Sequence, residues 1–221
     1  MRAFTDTVAT KAELISVLEA HAKADNFTKG IYWEEGKGCA VGCSLESFSD
    51  DPSNHFEYER VFGIPKIIAR LEDGIFEGLS NEYSKWWPLA FASAITEGSD
   101  LSMIWPKFCV WLLSDKEHGV IRHAKTKQSK KSVLDVADLY KRKINGENID
   151  ENEFLATRKS AAAAAYSASD AAYASDADAA AAAAAYSAAA DAAAYPDASA
   201  ARQKARKNQA DKLISLLKEC K

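Results

Sequence analysis

Leu, Ile, Val, Phe, Lys and Arg are all missing from residues 161–201. That stretch is almost entirely Ala, Ser, Asp and Tyr, and it has few large groups to bury. Cysteine is sparse as well: Cys39, Cys43, Cys109 and Cys220 are too few and too scattered for a disulfide framework. The opening MRAFTDTVATKAEL has no apolar core, so no signal peptide is expected. No run of about 18 large apolar residues exists to span a bilayer. These absences lead to the expectation of a cytoplasmic protein with no membrane partner. Net charge is only −4, which weighs against general nucleic-acid binding.

What is present divides unevenly. All five Trp and most large apolar residues precede residue 156, so residues 1–150 are expected to form a helical core domain. Residues 151–221 are expected to be an alanine-rich helical segment packed on that core or on a second copy. The octamer AAAAAYSA occurs at Ala161–Ala168 and again at Ala181–Ala188. Alanine favours helix but contributes little burial energy. An unbroken helix from Asp150 to Tyr195 would be about 65 Å long at 1.5 Å per residue, so it must bend, break or project. Alanine faces let helix backbones approach closely, and homo-oligomerisation through them is one expectation. No Thr follows Thr157, so the tract lacks the threonine row typical of ice-binding helices.

Local signals predict an all-α fold, mainly a helical bundle, with one small glycine-rich hairpin or loop near residues 30–44. Thr10 or Thr7 can cap a first helix, with Glu13 three residues after Thr10 as a capping-box partner. Glycines at 30, 36, 38 and 42 break the helical pattern. A helix from His55 to Phe62 should stop at Gly63, and Pro65 should open the next. Trp87-Pro88 and Trp105-Pro106 both read as helix starts. His118–Lys131 reads as a loop or frayed start, with Ser132 capping the helix that follows. Asp150 with Glu153 signals another start, and Leu213, Ile214, Leu216 and Leu217 anchor a last amphipathic helix.

Several residues could carry chemistry. Cys39 and Cys43 form a C-x3-C element, but a zinc site would need further ligands from His55, Cys109, His118 or His123, and no metal site or other cofactor is assigned. Cys39 or Cys43 with His55 is the weak nucleophile–base candidate. Gly36-Lys37-Gly38 could hold an anion through backbone N–H groups and the Lys37 charge. His55, Glu57 and Glu59 face Arg70, Glu72, Asp73 and Glu77 across two helices. That cluster reads as salt bridges or as a ligand pocket lined by Trp33, His55 and Arg70. The candidate ligand set is therefore Trp33, Lys37, Gly38, His55, Arg70 and Glu72.

The strings YWEEGKGCAVGC (32–43), HFEYERVFGIPKIIARLEDGIFEGL (55–79), ITEGSDLSMIWPKFCVWLL (95–113) and ADKLISLL (210–217), with the alanine-rich segment before the last, resemble a family of bacteriophage- and prophage-associated proteins. The alanine-rich half also resembles small helical immunity-type proteins. Neither resemblance supplies an activity. The phage resemblance implies a counter-defence binding protein that occupies a host defence protein or sequesters a nucleotide-like immune signal. A small Cys/His-dependent hydrolase or transferase is the enzyme-class alternative, and whether the chain is an enzyme stays open, with binding favoured. A helical interaction module or immunity protein without a small ligand is the third reading.

Overall fold

The computed structural model describes residues 2–124, 126–157 and 198–220. The chain is mainly helical, as expected. The alanine-rich tract at 158–197, with its expected close packing, break and self-association, lies outside the described residues. Among the described residues no helix is long and apolar enough to cross a membrane.

The chain forms two compact units: residues 1–105 with 203–221, and residues 106–202. The first opens with α1 (Lys11–Ala24), started by the Thr10/Glu13 capping box and ended by Asp25 in the left-handed region. Thr10→Ala removes the bond to the Glu13 N–H, and a loss of about 1 kcal/mol is expected in a urea melt. An unchanged midpoint would show that the cap contributes nothing. Leu14 and Leu18 bury one face of α1. The Lys11 ammonium donates to the Ser93 and Ile95 carbonyls, so a cation sits where α6 (Trp87–Ala94) ends.

The expected hairpin is present. Trp33–Glu34 (β1) pairs antiparallel with Lys37–Gly38 (β2), placing Trp33 opposite Gly38. Glu35 and Gly36 turn the chain with φ of 48° and 80°. Two left-handed residues in succession are what a type I′ turn requires. Helix α2 (Ala40–Leu45) follows at once and is buried along its whole length.

Helix α3 (Glu57–Phe62) ends at left-handed Gly63, as the sequence predicts. Helix α4 (Lys66–Gly78) begins after Pro65. The Glu59 carboxylate accepts from the Lys66 N–H at 2.8 Å, so α3 supplies the cap of α4. Phe62 gathers the rings of Phe4, Phe48 and Tyr58. Trp87 is fully buried and donates from its indole to the Glu72 carbonyl at 3.0 Å. The short α5 (Asn81–Ser84) leads into α6, which carries Pro88 in its first turn as expected. The C-terminal helix runs Ala198–Glu219 and buries Leu213, Leu216 and Leu217. Arg206 on it crosses α4 at Gly78, where an added Cβ would lie 2.4 Å from the guanidinium nitrogen.

The second unit contains most of α7 (Ile104–Ser114), a 3-10 turn at Val120–His123 and α8 (Lys127–Ile144). Helix α8 starts earlier than the Ser132 cap predicts. Thr126 and Ser129 form the capping box, and Ser132 is buried inside the helix. The basic run at 127–131 is therefore helical. Asp150 caps the following helical stretch through the Asn152 N–H, as the sequence predicts.

Candidate functional site

Hairpin, α2 and α4 meet around one carboxylate pair. Asp73 on α4 accepts from or pairs with the His55 ring, Nε2 to Oδ2 3.1 Å, both side chains being largely buried. The Tyr32 ring meets His55 edge-on at 5.7 Å. Glu77, one turn after Asp73, accepts the Gly30 N–H on both oxygens, at 3.1 and 3.2 Å. The Cys39 thiol, an Asp73 oxygen and a Glu77 oxygen all lie within 4.8 Å of one another.

This arrangement depends on two glycines. The Gly42 Cα stands so close to the Tyr32 carbonyl that a Cβ there would be 1.5 Å from its oxygen; at Gly38 the gap would be 2.1 Å. Glycine in a helix lowers stability, so its presence in α2 reflects space rather than propensity. The Cys39 N–H donates to the Ile31 and Tyr32 carbonyls at 2.8 and 3.2 Å, fixing the start of α2 on the chain that leads into the hairpin.

A surface patch lies beside this cluster. Tyr32 and Phe56 are 43% and 56% exposed, far more than most large rings. The Lys66 ammonium sits 3.5 Å from the centre of the Phe56 ring. Arg70, one helical turn after Lys66, is exposed and its charge acts on the Tyr32 hydroxyl. Burial and the Asp73 charge hold that hydroxyl above the usual phenol range.

The sequence-derived candidates divide three ways. His55 meets the Tyr32 ring, whose hydroxyl also feels the Arg70 charge. Trp33 instead packs edge-on against His21 at 5.3 Å. Successive residues of an extended chain point to opposite sides, which separates the two rings. Lys37 is exposed at the hairpin end. Gly38 is buried and its N–H donates to the Asn26 carbonyl at 3.1 Å, so it is already engaged. Glu72 is 0% exposed, and neither carboxylate oxygen has a hydrogen-bond partner. Burial, with the Asp73 charge, pushes its carboxyl well above the usual range.

Cys39 and Cys43 are 2% and 0% exposed. Burial, reinforced by Asp73, pushes the Cys39 thiol far up, and burial pushes that of Cys43 up to about 12. Both are thiols rather than thiolates near neutral pH, and the thiolate is the nucleophile. The Cys43 thiol donates to the Gly38 carbonyl at 3.4 Å. His55 is directed to Asp73. The residues missed from sequence are Tyr32, Phe56 and Lys66; Phe56 and Lys66 are ten residues apart and meet only in the fold, so no local pattern marked them.

Comparison with protein-family models, curated proteins and solved structures found no match to this chain.

Proposed function

We propose that the chain is a binding protein that occupies a host protein, in the counter-defence role implied by its resemblance to phage-associated proteins. The observation that carries this reading is the exposed pair Tyr32 and Phe56 flanked by Lys66 and Arg70. Tyr and Arg are enriched among residues that dominate interface energies, and exposed apolar clusters with a charged rim mark contact surfaces. The cations select an acidic partner face. The nearby acids are committed: Asp73 to His55, and Glu57 to Arg60 and Ser49. The buried thiols favour binding over the cysteine-enzyme alternative.

A nucleotide-like ligand is the second reading, because the Tyr32 ring and the Arg70 charge could take a base and a phosphate. A plating assay tests the proposal. Expressed in bacteria carrying individual defence systems, the wild type is expected to restore phage plating against at least one. Tyr32→Ala and Arg70→Ala, each checked for unchanged helical content, should weaken that rescue. For the purified pair, affinity should fall about 30-fold, the effect of losing about 2 kcal/mol at a central contact. Rescue that survives both substitutions would contradict the assigned face.

A further inference from the structure

We infer that Cys39, Asp73 and Glu77 form a binding site for a divalent transition metal of the zinc class. The three donors already converge: the Cys39 sulfur and one oxygen each from Asp73 and Glu77 are mutually within 4.8 Å. His55 Nε2, 3.1 Å from Asp73 Oδ2, stands outside that set and holds the Asp73 carboxylate. In a tetrahedral zinc site, bonds of about 2.0–2.3 Å put ligand atoms roughly 3.3–3.8 Å apart. The three donors therefore need only a modest contraction, for which the exposed Glu77 side chain has freedom, and the fourth position is left to water.

The donor set selects the metal. One sulfur and two carboxylates suit zinc or cobalt; magnesium and calcium take oxygen ligands. This is not an acidic surface cluster. Cys39 is sealed in the interior at the start of α2, and the two acids come from α4. Asp73 Oδ1 is buried, and the Asp73 carboxylate already acts on the Cys39 thiol, so two of the donors are coupled inside the protein.

The outer contacts match those of metal ligands. The Gly30 N–H orients Glu77, and the His55 ring, held edge-on by Tyr32, orients Asp73. Partners of this kind fix ligands in place. The site differs from the C-x3-C pattern visible in the sequence, because Cys43 bonds to the Gly38 carbonyl and takes no part. The inference does not rest on host-protein docking; a chain that bound no host protein would still bind metal here.

Cobalt titration of the chelator-treated full chain, followed by absorption, tests it. The expected result is one equivalent of Co²⁺ bound, with tetrahedral d–d bands and a thiolate-to-cobalt charge-transfer band. Cys39→Ser should abolish the charge-transfer band, whereas Cys220→Ser should leave it intact. Glu77→Gln, at an exposed position where the amide oxygen can still accept the Gly30 N–H, should weaken binding by at least about 10–100-fold, the loss seen even when an outer partner is removed. Absence of the charge-transfer band in the wild type would overturn the inference. So would a band unchanged in Cys39→Ser, or affinity unchanged in Glu77→Gln. If Cys39→Ser fails to fold, Glu77→Gln decides.

Discussion

Gly42→Ala is expected to destabilise the protein by at least about 3 kcal/mol, because its methyl group would occupy the position of a backbone oxygen. The added Cβ would lie 1.5 Å from the Tyr32 carbonyl oxygen and 2.5 Å from its carbon. Neither neighbour is a flexible side chain, so α2 or the hairpin must move as a whole. A loss of that size lowers the melting temperature by roughly 6–12 °C in a chain of this length. Gly74→Ala provides the internal contrast. Gly74 lies exposed within α4 with nothing within 4 Å of an added Cβ. There the gain in helix propensity should stabilise by roughly 0.5–1 kcal/mol. Thermal melts of the two variants check both signs. Similar melting temperatures would remove the close approach of α2 to Tyr32 as the reason for the glycine.

Glu72→Gln is expected to flatten the dependence of stability on pH. Glu72 is 0% exposed, and burial is the main cause of its raised carboxyl pKa. In the unfolded chain this carboxyl loses its proton above its ordinary value, 4.5. In the folded chain it keeps the proton until the raised value is reached. The folded state therefore binds the extra proton between the two, and stability falls as pH rises through that window. The slope for one proton is about 1.4 kcal/mol per pH unit. Glutamine carries no such proton, so the variant should gain on the wild type as pH rises from 5 to 8. Urea melts at several pH values, with a chelator present, measure this. Parallel curves for the two proteins would show that Glu72 is not held protonated.

Local chemistry made much of the helical frame legible. The Thr10/Glu13 box, Gly63 and Asp150 act within a few residues, so each could be read directly from the sequence. The hairpin was legible for the same reason, since its glycine-rich turn breaks the helical pattern. The start of α8 was not, because its capping box uses Ser129 where Glu or Gln is usual, and a run of lysines resembles a loop. Helix α2 was hidden by its length: six buried residues show no helical period. The candidate site was only half legible. His55, Arg70, Asp73 and Glu77 stood out as a polar cluster, but their partners are set by tertiary packing. A strand of two residues carries too little alternation to show that Tyr32, rather than Trp33, meets His55.

The contact face at Tyr32, Phe56, Lys66 and Arg70 is tested most directly by native mass spectrometry of the full chain, isolated gently from host cells beside Arg70→Ala. The predicted result is a complex with one host protein that is lost or strongly depleted in the variant. A mass increment of nucleotide size, lost in Arg70→Ala, would keep the face but replace the partner with a small ligand. A homo-oligomer alone, or a host complex equally abundant in Arg70→Ala, would contradict the account.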